Sequence, residues 1–260
     1  MNYYIQDFTE NNFRHLLSIA KNVNTITTYE GAKEDGIVFR HDVDYSLNRA
    51  VSLSYIEKEN SIPSYYFVHM HSDFYNAYDS SSKSYIQRLV ENDRIVGLHF
   101  EPCYYNLSTE QIVELEERIN REKEILEDIT GKSVTYMSFH NPDVGGDWFD
   151  LPYDKIGGLT NVYGPRIKGT FEYCSDSNGY WRFKRLEEVL INSSGKRIQI
   201  LTHPGWWQKE VLFPYDRIKR CVMGRAEKVL KLYEENLEKC GRINVKRDEN
   251  DENIYINSYN

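Results

Sequence analysis

Short β-rich runs alternate along the chain with longer stretches of helical spacing. Ile37-Val38-Phe39, preceded by Gly36, leads into Arg40-His41-Asp42-Val43-Asp44 and then a helix from Ser46 to about Asn60, with Ser46 as N-cap. Ser64 to Met70 reads as a strand, Ser82 to Asn92 as a helix, and Ile95 to Phe100 as a strand. Ser108 and Gln111 have the spacing of a capping box, and Ile112, Leu115, Ile119, Leu126 and Ile129 form one apolar stripe that ends at Gly131. Val134 to Phe139 and Ile198 to Thr202 are further strands. Pro214 to about Lys239 carries Ile218, Val222, Val229, Leu230, Tyr233 and Leu237 on one face, an amphipathic helix expected to close the fold.

Alternating strands and helices imply a mainly parallel sheet with crossover helices, whose ligands bind beyond the carboxyl ends of the strands. No repeat or linker divides the 260 residues, which predicts a single domain. Between Asp143 and Phe183 lie seven of the 15 glycines together with Trp148, Phe149, Tyr153, Tyr163, Phe171, Tyr173, Tyr180 and Trp181. Short strands and turns are expected there, forming a lid or one wall of a cleft.

Charge narrows the list of partners. With Lys+Arg 32 against Asp+Glu 40 the formal charge is -8, and no basic stripe offsets it locally, so nucleic acid and anionic membrane are excluded as principal partners. No stretch approaches the length of a membrane span. The first residues, MNYYIQDFTE, lack a basic segment followed by an apolar run, and a cytoplasmic location is expected. Cys103, Cys174, Cys221 and Cys240 are scattered without paired spacing, which argues against a disulfide framework or a cysteine zinc site. The 21 tyrosines suit either core packing or a ligand-facing wall.

Four predicted strands end in polar clusters able to bind metal: His41 to Asp44, Gly97 to Glu101, Ser138 to Pro142 and Thr202 to Pro204. On a strand, Asp42 and Asp44 share one face while His41 and Val43 take the other. Two carboxylates on one face call for a cation or a donor between them, and a divalent metal is the simplest solution. Imidazole and carboxylate together suit zinc, and Asp44, His99 and either His140 or His203 would supply three ligands. His69 and His71 share a strand face before Ser72 and could line the cleft, whereas Glu114, Glu116, Glu117, Glu122, Glu124 and Glu127 read as a solvated helix face.

In their order along the chain these motifs resemble the NodB-type polysaccharide deacetylases, carbohydrate esterase family 4, and more closely a branch associated with capsule and O-antigen biosynthesis. That branch is marked by RHDVD, here Arg40 to Asp44, and by THPxWW, here Thr202 to Trp207. The resemblance spans roughly Gly36 to Trp207. It implies an α/β fold, a distorted (β/α) barrel in a single domain, with residues 1–35 as an N-terminal extension, 36–245 as the deacetylase domain and 246–260 as a polar tail, frayed from Arg247. It also implies Asp42 as general base, Asp44 and His99 as metal ligands, and His203 as the acid that protonates the leaving amine. Asp176 and Arg182 fall in a motif that positions catalytic groups. The second histidine of the family's HxxxH pair is replaced by Cys103, so His140 is the preferred third ligand and Cys103 the alternative. Arg40, Trp206, Trp207 and Trp181 are expected to contact substrate.

The activity so implied is a metal-dependent deacetylase with one divalent metal, zinc first and cobalt, nickel or manganese as alternatives. Its substrate would be an acetylated amino sugar, nucleotide-linked, lipid-linked or in an oligosaccharide, on the way to a surface glycan. Two rivals stand beside it: a carbohydrate-binding or scaffold barrel that has lost turnover, and a metal hydrolase of another C–N bond or of an O-acetyl ester.

Overall fold

The computed structural model describes residues 3–33 and 35–245. Residues 246–260, and with them the expected frayed tail, lie outside the described residues. The elements in chain order are α1 (Glu10–Val23), β1 (Gly36–Val43), α2 (Leu47–Glu59), β2 (Ser64–His69), α3 (Ser80–Glu91), β3 (Ile95–Phe100), α4 (Ile112–Thr130), β4 (Tyr136–Phe139), β5 (Lys155–Ile156), β6 (Leu159–Asn161), α5 (Pro165–Thr170), β7 (Glu172–Ser175), α6 (Leu186–Ile191), β8 (Arg197–Thr202) and α7 (Pro214–Lys239).

All eight strands belong to one curled sheet in the order β5-β6-β4-β3-β2-β1-β8-β7. Every neighbouring pair is parallel except β5 with β6. This is the expected distorted (β/α) barrel, its strands held in a single domain that runs to Cys221. Caps set the helix starts: the Ser46 side chain accepts from the Arg49 N–H, and Asp79 accepts from Ser82, beginning α3 two residues before the expected start. At Ser108 only half of the capping box forms: the Ser108 N–H donates to the Gln111 side chain, and the helix begins at Ile112.

All eight residues of β1 are buried, as in a central parallel strand covered on both faces. One face packs on helices α2, α3 and α4 through Val43, Tyr66, Val68, Leu98 and Met137. The other is a smaller, tyrosine-rich interior of Tyr29, Val38, Tyr65, Phe67, Tyr136, Val162, Ile167 and Phe171. Gly97 permits this closeness, because a Cβ there would stand 2.6 Å from the Phe67 ring. The segment 143–183 contributes β5, β6, α5 and β7, and its aromatics serve mostly as packing: Trp148, Tyr163, Phe171 and Trp181 are all buried. Helix α1, through Phe13, Leu16, Leu17 and Ala20, and Phe8 just before it are integral to the core, packing with β1, β8 and α6 residues.

The sheet lies within Met1–Cys221, and the described residues from Val222 onward group as a second unit. The residues of the α7 stripe from Val222 onward, expected to close the fold, belong to that unit. Val222, Val229, Leu230 and Tyr233 are exposed. No helix among the described residues is long and apolar enough to cross a membrane.

Candidate metal centre and catalytic groups

Strand alternation turns Arg40 and Asp42 to the tyrosine-rich face and His41 to the helix face, and Asp44 follows just beyond the end of β1. The parallel registers then set His69, His99 and Ser138 in one row across β2, β3 and β4. His140 continues from β4, and His203 follows β8.

Three donor atoms face one another at the carboxyl ends of these strands. His99 Nε2 lies 3.1 Å from Asp44 Oδ1, His140 Nδ1 lies 3.6 Å from the same oxygen, and the two nitrogens are 3.2 Å apart. Asp44, His99 and His140 form a group able to hold a metal ion. Asp44 Oδ1 is buried and accepts no hydrogen bond. His99 Nδ1 is 2.6 Å from Ser138 Oγ, which donates in turn to Asp42 Oδ1 at 3.5 Å, leaving the Nε2 lone pair turned toward Asp44. Ligands at zinc bonding distance in a tetrahedron stand about 3.3 to 3.6 Å from one another. The donor set therefore fits a small divalent cation in chemistry and in spacing. Burial alone would raise the Asp44 carboxyl, but His203, His140 and His99 outweigh it and hold it well below the usual carboxylate range.

Asp42 is fixed from its own strand. Arg40 donates from Nε to Oδ1 at 3.2 Å and from Nη2 to Oδ2 at 2.7 Å, and Nη2 also meets the Tyr163 hydroxyl at 2.7 Å. The guanidinium lies over the Tyr163 ring at 4.4 Å. Burial would raise the Asp42 carboxyl, yet Arg40 first and His99 second keep it below its ordinary value. Opposite stands His203, whose Nδ1 is 2.5 Å from Asp176 Oδ1 and whose backbone N–H donates to Asp176 Oδ2 at 2.9 Å. Its Nε2 points back to Asp44 Oδ2 at 3.5 Å. Against the effect of burial, Asp176 and Asp44 push the imidazole up to about 10.

No family model matches the chain, and no curated protein matches it. Solved structures similar to it include a CE4 family pseudoenzyme from Bacillus anthracis, at 10% identity and TM-score 0.41, covering 75% of this chain and 62% of that one. A chitin deacetylase from Colletotrichum lindemuthianum shares 15% identity at TM-score 0.42, covering 72% of this chain and 81% of that one. A family 4 carbohydrate esterase from Bacillus anthracis shares 15% at TM-score 0.41, covering 93% and 94%. The chain thus spans less than two thirds of the pseudoenzyme's length. The chemistry of the site follows from its own residues.

Several expected contacts fall elsewhere. Arg40 is 0% exposed and bound to Asp42, so it holds a carboxylate and does not meet substrate. Arg182 is exposed, with its guanidinium over Phe183, and the arginine paired with Asp42 is Arg40. Trp207 is 0% exposed between Phe8 and Phe13, and Trp181 stacks on Phe8, which leaves neither indole face to a sugar. Trp206 is likewise buried, edge-on to Tyr45, whose ring occupies the space a Cβ at Gly205 would need. The Cys103 thiol donates to the Val144 carbonyl at 3.3 Å and stays out of the donor cluster.

Beside the cluster, His69 pairs with Glu101 at 3.1 Å and stacks on His140, with ring centroids 4.4 Å apart. His71 turns instead to Tyr105 at 3.0 Å and Glu122 at 3.1 Å, beneath the exposed Tyr104 ring. Glu122 is 2% exposed and not on a solvated face. Its position continues the α4 stripe from Leu115 and Ile119 to Leu126, a signal the residue's charge concealed.

Proposed function

We propose that this chain is a metal-dependent hydrolase that removes an N-acetyl group from an amino sugar in a surface-glycan precursor. The observation that carries the reading is the convergence of Asp44, His99 and His140, with Asp42 and the Asp176–His203 pair on either side. A divalent metal held there would polarise the acyl carbonyl and acidify a bound water. Asp42, ionised and clamped by Arg40, is the group positioned to take a proton from the attacking water. His203, kept charged by Asp176, is positioned to donate a proton to the departing amine, giving free amine and acetate. The RHDVD and THPGWW motifs support the amino sugar as substrate and the glycan-precursor setting.

The test is metal analysis of the purified protein together with acetate release from N-acetylated and O-acetylated sugars, alone and nucleotide-linked. One zinc-class ion per chain, lost in Asp44→Ala along with acetate release, is the expected result. A wild type without stoichiometric metal, or one that releases acetate from esters only, overturns the reading.

A further inference from the structure

Behind the catalytic face, on the helix side of the same strand, lies a second polar network that the chemistry above does not use. His41 Nε2 is 2.6 Å from Glu57 Oε1 on α2, and its Nδ1 is 2.9 Å from Thr202 Oγ1 on β8. Glu57 Oε2 accepts from Ser64 Oγ and from the Tyr66 hydroxyl, each at 2.7 Å, and Arg94 Nη1 stands 3.6 Å away. The Tyr66 ring stacks on the His41 imidazole at 4.5 Å. His41, Glu57, Ser64, Tyr66 and Thr202 have no exposed surface.

A carboxylate buried beneath a sheet is costly to desolvate, and well-packed apolar residues often give equal or greater stability in its place. What directional bonds add is a fixed separation. Here the separation is informative. His41 and Thr202 face each other across the β1–β8 ladder, and each immediately adjoins a group of the proposed site, Asp42 in one case and His203 in the other. The His41–Thr202 bond is thus a direct side-chain link between the strand that carries the base and the strand that carries the acid. Glu57 grips the same imidazole from α2, so that the imidazole cannot turn away from Thr202.

We propose that the Glu57–His41–Thr202 chain is a positioning clamp that fixes the distance between Asp42 and His203. The inference rests on the hydrolase reading for its effect on turnover and stands apart from it for its effect on geometry. None of the three touches the donor cluster; they are positioning residues.

Thr202→Val removes the hydroxyl and leaves Glu57 in place. It should lower kcat about 100-fold, the scale of a 1 Å misplacement, with KM within about twofold and bound zinc unchanged. Thr202→Ser should restore the rate. Ser54→Ala, which removes an equally buried hydroxyl on α2 that bonds Val51 and Asn92, should leave it unaltered. Crystal structures of wild type and Thr202→Val supply the readout that needs no turnover: the Asp42 carboxylate and His203 imidazole should move relative to each other by more than about 0.5 Å. An unchanged separation overturns the clamp, as does wild-type kcat in a folded variant. If the wild type hydrolyses none of the substrates, the hydrolase reading falls, and the measured separation still decides the clamp. Glu57→Gln, read in the same way, serves if the valine variant does not fold, with the same displacement expected and its absence decisive.

Discussion

Two buried polar groups lie back to back on β1, and they differ in how completely they satisfy themselves. On the helix face, each oxygen of Glu57 has a hydrogen-bonding partner, and His41 is bonded through both ring nitrogens. On the tyrosine-rich face, Asp44 Oδ1 is buried with no hydrogen bond while two imidazole nitrogens converge on it. A network whose members all find one another is a structural element, whereas one that leaves lone pairs facing each other is built around something it does not itself contain. Both faces bury a carboxylate, an arginine and imidazole; satisfaction separates them.

The largest consequence of that contrast concerns rate. Asp42→Asn should cut acetate release by about 10³-fold while zinc remains bound at one per chain, because Asp42 lies outside the donor set. Metal analysis beside single-turnover kinetics checks both halves. Loss of zinc in this variant would show that Asp42 belongs among the ligands, and the division between base and donor set would collapse.

On the opposite face the same kind of change should act on stability. Glu57→Ala strands His41 and Arg94 in the interior, and breaking a buried pair of this kind costs about 3–5 kcal/mol. Urea unfolding of the zinc-free protein measures it. A cost below about 1 kcal/mol would mean that the back network is as dispensable to the fold as an exposed ion pair.

Acid should weaken the same network. Burial pushes the Glu57 carboxyl up, but His41 first and Arg94 after it outweigh burial and leave it below its ordinary value. A depressed carboxyl contributes stability above its unfolded value of about 4.3, and that contribution is lost as pH falls through the lower folded value. The difference in unfolding free energy between wild type and Glu57→Gln should therefore be greatest near neutral pH and shrink as the pH falls below about 4. A difference that stays constant from neutral to acid would show that folding leaves the Glu57 carboxyl undepressed, and one that grows in favour of wild type as the pH falls would show that the folded carboxyl is protonated.

How much of this was legible beforehand depended on sequence distance. Period-two alternation in Arg40 to Asp44 separates His41 from Asp42 and Asp44 without any structure, and the strand ends narrow the donor set to Asp44, His99 and either His140 or His203 without choosing between the last two. Arg40 shares the parity of Asp42, yet its role as a clamp depends on Tyr163, 123 residues away, and on burial that no local pattern reports. Trp207 looked free for a sugar because Phe8 and Phe13, which bury it, arrive from the other end of the chain. Glu122 stands at the spacing of the α4 stripe, three residues after Ile119 and four before Leu126, but its charge reads as solvated, and only the fold supplies His71 and Tyr105 as its partners.

The smallest expected effect tests which side chain completes the donor set. Cys103 occupies the position where the family resemblance implies a histidine ligand, so a thiolate could be the third donor in its place. Its sulfur instead donates to the Val144 carbonyl, while His140 Nδ1 stands 3.2 Å from His99 Nε2. Cys103→Ser should leave zinc affinity within about twofold, since a hydroxyl can keep the bond to Val144 and no ligand is removed. His140→Ala should weaken zinc by at least about tenfold, the lower end of what even a residue outside the ligand set costs. Competition with a chromophoric chelator measures both constants. The reverse outcome, affinity lost with Cys103 and kept without His140, would move the third ligand onto the segment after β3 and dissolve the link between β4 and the metal.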